Sequence, residues 1–245
     1  MTNIKDLYYI HIPKTGGMAI EKIFYDYGGC VAQCFFRKYK KDIVKDKKYK
    51  DTSLWHIPFQ FLDTNFINNI IKTKKIFAIV RNPYDRIISS YKFWLKYYND
   101  RLLKKKLNNE EKKLIKQIKY YYNNSFIMNA NNLNNFIKKV LNDKNYYQLL
   151  DSHFIPMYEY TIIKSSNKNK LDVFPNNILK IEELDKDFNS LIKQYKLKIP
   201  LNITKTTKIN ITFGNIKPSD LNKESIELIN KIYHYDFKFF NYQKL

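Results

Sequence analysis

Two strand–turn–helix segments in the first hundred residues predict an α/β fold with a central parallel sheet flanked by helices. Each segment starts with a short apolar run, passes through a turn that contains proline, and continues with apolar residues at helical spacing. Strands that alternate with helices favour a parallel sheet, because parallel strands need long crossover connections. The chain has 245 residues, of which 44% are hydrophobic, so it is long enough to bury a sizeable core.

The first segment covers residues 8–20 and combines a strand, a glycine-bearing turn and a helix N-terminus. The turn carries Lys14, Thr15, Gly16 and Gly17. The first N–H groups of a helix lack intrahelical acceptors, and the helix dipole favours negative charge there. Adjacent glycines let an anionic group approach the backbone, while the lysine adds charge and the threonine adds a hydroxyl donor. This segment therefore predicts an anion site.

The turn differs from the usual loop of nucleotide-triphosphate enzymes. That loop has the pattern G-x-x-x-x-G-K-[ST], with the lysine after the glycines. Here Lys14 precedes both glycines, and the chain has no earlier glycine. The difference in order argues against an ordinary triphosphate site.

The second segment begins with the apolar run 76–80, which predicts a buried parallel strand. Arg81 follows at the carboxyl end of this strand, where open α/β sheets bind ligands. Asn82 and Pro83 suit the N-cap and first turn of a helix. Ser89 follows roughly two helical turns later. An arginine and a serine so spaced can share one phosphate.

The remaining elements follow from the same patterns, in chain order. We expect the first strand, turn and helix over 7–27, with Gly28 and Gly29 ending the helix. A second strand over 31–36, a basic loop over 37–50 and a short strand at 54–56 come next, then a helix over 65–71. After the second segment we expect a lysine-rich helical stretch at 101–122, an Asn-rich loop at 123–135 and a helix at 133–141. Strands at 159–163 and 178–182 and helices at 185–196 and 223–233 complete the chain.

Both segments resemble motifs of the sulfotransferases, in particular the carbohydrate (Golgi-type and bacterial) branch. The string HIPKTGG resembles the loop that binds the 5′-phosphosulfate of 3′-phosphoadenosine 5′-phosphosulfate (PAPS). The string RNPYDR-x-x-SxY resembles the motif that binds its 3′-phosphate. The resemblance implies a P-loop-like central sheet and PAPS as cofactor. It places these residues at the cofactor: Lys14, Thr15, Gly16, Gly17, Met18, Ala19, Arg81 and Ser89.

Weaker matches extend the resemblance toward the C-terminus. Residues 178–188 resemble the family's late strand and helix, and residues 228–242 resemble its closing helix and aromatic tail. The resemblance implies one sulfotransferase domain over 1–245, with about 101–145 as a helical insertion or cap over the active site.

The resemblance also implies the catalytic residues. Sulfuryl transfer needs a base for the acceptor hydroxyl and positive charge on the leaving phosphate oxygen. Lys14 is placed for the leaving oxygen, and His56 lies in the interval where the family has its base. His153, in an H-F-x-P element with Met157 in place of glutamine, is expected to bind the substrate. His11 and His234 are interpreted as structural or packing residues, and no metal is required.

Two departures from the family keep other functions open. Met18 and Ala19 stand where the family usually has threonine or serine, so two hydroxyl donors to the cofactor are missing. One alternative is a degenerate sulfotransferase fold that binds nucleic acid or another polyanion. Another is an ATP-dependent kinase, against which the loop order and the lack of an evident magnesium motif count. Lys205 and Lys208 belong either to a loop over the adenosine or to a solvated basic loop.

The net charge of +21 bears on the acceptor. Such an excess suits an anionic cofactor and an anionic carbohydrate such as an acidic glycan. It would also suit nucleic acid, although that partner is the less favoured one. The chain is rich in Lys, Asn, Ile and Tyr, so a composition bias would explain the charge equally well.

Cysteine content and apolar runs indicate the compartment. Cys30 and Cys34 are the two cysteines of the chain, and we expect free thiols. No apolar run is long enough to span a membrane, and the N-terminus has no signal-peptide pattern. These features predict a soluble cytoplasmic protein, or one of the Golgi lumen if a membrane anchor has been removed.

Overall fold

The computed structural model describes residues 4–27, 44, 49, 52–104, 106–164, 171–173, 175–206 and 214–245. The predicted helix end at Gly28 and Gly29, the predicted strand over 31–36, and both cysteines lie outside the described residues. So does the basic loop 37–50, apart from Val44 and Tyr49.

The strands of the described residues are β1 (Leu7–Ile10), β2 (Lys75–Val80), β3 (Ile162–Lys164), β4 (Leu171–Val173) and β5 (Asn177–Lys180). The helices are α1 (Gly17–Asp26), α2 (Thr64–Thr73), α3 (Pro83–Leu102), α4 (Asn109–Tyr121), α5 (Ala130–Leu141), α6 (Tyr158–Thr161), α7 (Leu184–Tyr195), α8 (Ile203–Thr206), α9 (Lys223–Ile232) and α10 (His234–Phe239). Short 3-10 turns occur at Ile4–Asp6, Leu54–His56, Phe59–Phe61, Tyr146–Gln148, Ile181–Glu183 and Pro218–Asp220.

The chain divides into two compact units. The first comprises residues 1–81 and 157–211, and the second comprises residues 82–156 and 212–245. The chain passes from the first unit to the second directly after Arg81. The expectation of one domain over 1–245 stays a prediction.

The first unit contains a parallel sheet in the order β1–β2–β5. In this register Tyr9 pairs with Phe77, and their rings stack at 5.1 Å. Strand β2 is central and buried from Ile76 to Val80, as its continuous apolar run predicted. The predicted α/β fold with a parallel sheet flanked by helices is confirmed.

Helices α1 and α7 cover one face of this sheet. Alternate residues of the strands form one buried cluster with apolar residues that are spaced three and four apart on both helices. Burying one such large side chain stabilises the fold by about 1.5–3 kcal/mol. The cluster includes Leu7, Tyr9, Phe77, Ile79, Leu179, Ile20, Ile23, Phe24, Phe188, Leu191 and Ile192. On the other face, Tyr8 meets Phe59 edge-on at 5.5 Å. Phe59 in turn contacts Phe66 of α2, which is capped by the Asp63 carboxylate.

The second unit is helical and has its own core. Helix α3 begins with Pro83, and the Asn82 side chain accepts from the Tyr84 N–H as its N-cap. Helix α4 begins with a capping box between Asn108 and Glu111. Apolar residues of α3, α4, α5, α9 and α10 share one buried cluster. The predicted insertion at 101–145 therefore packs with the helix after β2 and with the C-terminal helices.

Several element predictions differ from the structure. Residues 54–56 form a 3-10 turn instead of a strand. The predicted helical stretch 101–122 splits, because α3 ends at Leu102 and α4 begins at Asn109. Residues 158–161 form the short helix α6, so the strand predicted at 159–163 begins only at Ile162. That strand pairs antiparallel with β4, which the periodicity did not reveal. None of the helices in the described part of the chain is both long and apolar enough to cross a membrane.

Candidate active site

The predicted anion loop connects β1 to α1 in the first unit. Lys14 has a φ of 69° and Gly16 a φ of 90°, so two left-handed residues bend the chain sharply into the helix. Gly16 is the N-cap of α1, and within the described residues no side chain caps this end. The Ala19 N–H donates to the Gly16 carbonyl at 3.1 Å in this first turn, and the dipole of α1 favours negative charge at the same end.

The two glycines are needed for different reasons. Gly16 adopts a left-handed backbone, which side chains other than glycine rarely do. Gly17 has an ordinary helical φ, but a Cβ there would lie 2.5 Å from Cε1 of His11. The His11 ring thus occupies the space that any side chain at residue 17 would need.

The other loop residues have distinct environments. The Thr15 hydroxyl is fully buried and donates to the Ile12 carbonyl at 2.9 Å, so its proton stabilises the loop itself. The Met18 side chain is 52% exposed on the first turn of α1, and Ala19 is half-buried beside it. The Met18 and Ala19 side chains therefore add no hydrogen-bond donor to this turn.

Arg81 and Lys14 meet at the carboxyl ends of neighbouring strands. Nη1 of Arg81 donates to the Lys14 carbonyl at 3.3 Å, and the Arg81 N–H donates to Sδ of Met157 at 3.4 Å. Met157 thus lies behind the arginine of the second motif. Burial, together with the positive charge of Arg81, lowers the pKa of Lys14 to about 8. The two like charges make the local potential positive, and a positive potential attracts anions.

His56 is buried next to His11. The ring centroids of the two histidines lie 5.5 Å apart, and the hydroxyl of Tyr160 donates to the His56 carbonyl at 2.9 Å. Nδ1–H of His11 donates to the Glu21 carboxylate at 2.5 Å. Glu21 and the contact of His11 with the predicted base were not anticipated. The three residues lie on a strand end, a distant turn and a helix. Hydrophobic periodicity in the sequence does not predict contacts between elements so far apart.

The other two predicted site residues belong to the second unit. Ser89 is 5% exposed on α3, roughly two turns from its start. His153 is 4% exposed, and its ring contacts Phe93 at 5.2 Å and Trp94 at 4.9 Å. Aromatic packing therefore determines where the His153 ring lies.

An unusual backbone turn precedes His153. Leu150, Asp151 and Ser152 all have positive φ, between 47° and 61°, which is costly for side-chain-bearing residues. The buried Arg86 guanidinium donates to the carbonyls of Ile155 at 2.9 Å and His153 at 3.1 Å. Arg86 therefore holds this segment in place. Its position in RNPYDR was the one available signal for this role.

A cleft of about 390 Å³ lies at the carboxyl end of β5 in the first unit, lined by residues 181–186 and Thr204. Its lining carries the carboxylates of Glu182, Glu183 and Asp185 and the ammonium of Lys186, which pairs with Glu183 at 2.8 Å. Among the described residues, no group of three or more His, Cys, Asp or Glu side chains is arranged to hold a metal ion. Lys208 and the Lys205 side chain lie outside the described part of the structure.

Comparison with known proteins identifies the family. The sequence profile of the Sulfotransferase family matches residues 1–243. No curated protein and no solved structure matches the chain. The profile match includes the Lys14 loop, the Arg81 motif and both histidines of the first unit. Because it covers nearly all of the 245 residues, the chain belongs to the Sulfotransferase family, whose members transfer sulfuryl groups to acceptors.

Proposed function

We propose that this protein transfers the sulfuryl group of PAPS to a hydroxyl of a carbohydrate. The observation that best supports the proposal is the contact between Arg81 and the Lys14 carbonyl. It joins the residues of two separate motifs at one edge of the sheet, next to the start of α1. This arrangement suits a ligand with two separated anionic groups, as PAPS has.

The proposed binding roles follow the chemistry of each residue. Lys14, Gly16, Gly17 and the first N–H groups of α1 bind the 5′-phosphosulfate, with Thr15 supporting the loop from behind. Arg81 binds the 3′-phosphate through charged hydrogen bonds, and the sequence spacing assigns Ser89 to the same phosphate. Met18 and Ala19 contribute backbone groups only.

The proposed chemistry uses two residues of the first unit. PAPS supplies the sulfuryl group. Lys14 donates to the phosphate oxygen on which negative charge develops, in a site where burial strengthens that interaction. His56 accepts the proton of the acceptor hydroxyl. His153 is proposed to bind the acceptor.

An acidic polysaccharide is the acceptor that the charge distribution favours. Lys112, Lys116 and Lys119 are exposed at helical spacing on α4 and form one basic stripe about 10 Å long. A polyanion held by several lysines should show steep salt dependence, because salt screens exposed charge pairs. Transfer from labelled PAPS to acidic and neutral glycans, at low and physiological salt, tests this. Salt-independent transfer to neutral sugars would contradict the polyanion and leave sulfuryl transfer untouched.

Thermal stabilisation by nucleotides tests the cofactor. Adenosine 3′,5′-bisphosphate should raise the melting temperature more than AMP or ATP, because only it carries a 3′-phosphate for Arg81. A ligand at 100 times its Kd stabilises by about 2.7 kcal/mol. An equal shift with AMP would contradict the 3′-phosphate site. A larger shift with ATP or DNA would favour the kinase or the nucleic-acid-binding protein.

Histidine variants test the base. His56→Ala should lower kcat by about 10²–10⁴, the usual range for a lost general base, and leave bisphosphate binding nearly intact. His234 is exposed on α10, which makes His234→Ala a matched control with normal turnover. Normal turnover in His56→Ala with loss in His153→Ala would assign the base to His153.

A further inference from the structure

Three titratable side chains of the first unit form a connected group beside the anion loop. Glu21 is bonded to His11 at 2.5 Å, and the His11 ring lies 5.5 Å from the His56 ring. His11 is 7% exposed and His56 is 8% exposed, so both rings are largely removed from water. The proposed catalysis uses only His56 and leaves the other two unassigned.

The local backbone builds this group from three elements. His11 follows the last residue of β1, and its ring lies against Gly17 at the start of α1. Glu21 is one turn further along α1, so its carboxylate reaches the same ring. His56 ends a 3-10 turn, and the Tyr160 hydroxyl donates a hydrogen bond to the His56 carbonyl. Each side chain thus has a separate structural support.

The charges of the group are set by burial and by the hydrogen bond. Burial lowers the pKa of His11 and outweighs the opposite effect of the Glu21 carboxylate. Burial alone would raise the pKa of Glu21, but the hydrogen bond from His11 lowers it overall. Near neutral pH the pair therefore holds a neutral imidazole and an ionised carboxylate.

The other titratable groups that face His11 are Tyr9 and Lys14. Burial raises the pKa of Tyr9 far above neutrality, so that residue stays uncharged. Lys14 opposes a positive charge on His11. The Glu21 carboxylate is consequently the negative charge that the described part of this group directs toward the two imidazoles.

We propose that Glu21 and His11 are positioning residues for the base: they hold the His56 ring in place and stabilise the positive charge it gains with the proton of the acceptor hydroxyl. The inference rests on the proposed function. The Glu21 carboxylate accepts from His11, and the His11 ring contacts the His56 ring at 5.5 Å between centroids, so the carboxylate acts on the base through His11. Gly17 supports the same group of residues, because its lack of a side chain leaves space for the His11 ring.

Two variants of α1 provide the test, because each removes one negative charge from the same helix. Glu21→Gln keeps a group that can bond His11 but loses the charge. Asp26→Asn is the control, since Asp26 is exposed and paired with Lys22 at 2.8 Å. We expect Glu21→Gln to lower kcat by about 10- to 100-fold, the range known for outer partners of metal-bound imidazoles, with KM and bisphosphate affinity unchanged. The acidic limb of its kcat–pH profile should move to lower pH. Asp26→Asn should behave as wild type, and Glu21→Asp should recover part of the rate.

A measurement without cofactor complements the kinetics. In the ligand-free protein, the NMR titration of His11 should move to lower pH in Glu21→Gln and stay unchanged in Asp26→Asn. Equal kcat values for Glu21→Gln and Asp26→Asn would overturn the inference and leave sulfuryl transfer standing. A parallel loss of melting temperature and bisphosphate affinity in Glu21→Gln would also overturn it, by showing a structural role. Failure of the wild type to bind the bisphosphate or to turn over would refute the proposed function, and the inference with it.

Discussion

Raising the pH from 7 to 9 should weaken adenosine 3′,5′-bisphosphate binding through one side chain, Lys14. Burial and the nearby charge of Arg81 lower its pKa from 10.5 to about 8. With that value, roughly nine in ten Lys14 side chains are charged at pH 7 and roughly one in ten at pH 9. An anionic ligand binds the charged form, so the apparent affinity should fall about tenfold, or about 1.4 kcal/mol.

The affinity should fall with rising pH because the pKa of Lys14 is lowered and not raised. Because the pKa is lowered, the folded protein loses this proton at a pH where an exposed lysine would keep it, and ligand binding must restore it. Above pH 7 the ligand's own phosphates are almost fully ionised, since their second pKa is about 6, so the ligand's charge stays nearly constant. Calorimetric titration in buffers of different ionisation enthalpy should therefore show proton uptake on binding near pH 8 to 9.

Two variants separate Lys14 from the rest of the site. Lys14→Arg keeps its charge at pH 9, so its affinity should be nearly independent of pH. Lys14→Met should bind weakly at both pH values. If wild-type affinity is the same at pH 7 and 9, or falls as much in Lys14→Arg, the effect does not come from the Lys14 ammonium and the reasoning is refuted.

Three further substitutions probe the site and its supports. Arg81→Ala should weaken bisphosphate binding more than Ser89→Ala, because a charged bidentate contact outweighs a neutral hydroxyl; calorimetry that gives the reverse order would contradict the assigned roles. Gly17→Ala should lower the free energy of unfolding, since a strain of about 1–3 kcal/mol against His11 exceeds a gain of at most about 1 kcal/mol in helix propensity; a higher melting temperature would show that the ring can move away. Arg86→Met should destabilise by about 2–4 kcal/mol in chemical denaturation, because two buried carbonyls lose their donor. Its control, Lys96→Met, removes only an exposed ion pair with Asp100 and should change stability by less than about 1 kcal/mol.

The sequence by itself determined the parts of this protein that local chemistry specifies. The parallel sheet and the strand–loop–helix around Lys14 were predictable. Hydrophobic periodicity indicates strands and helices, and Gly16 and Pro83 mark a turn and a helix start within a few residues of themselves. The same local signals placed Arg81 at a strand end and Ser89 on the following helix. At 54–56 and 159–163 the residue pattern predicted strands, whereas the folded chain has a 3-10 turn at the first position and a short helix at the start of the second.

Only the tertiary structure decided which side chains meet. The Arg81 contact with the Lys14 carbonyl exists because β1 and β2 are parallel neighbours, although the two residues are far apart in sequence. Burial in the folded chain, together with the charge of Arg81, lowers the pKa of Lys14. The Glu21–His11–His56 group joins a strand end, a helix and a turn, so no spacing in the sequence encodes it. Residue types specify the chemistry that is possible, whereas distance and burial decide which of it takes place, because electrostatic interactions depend on both.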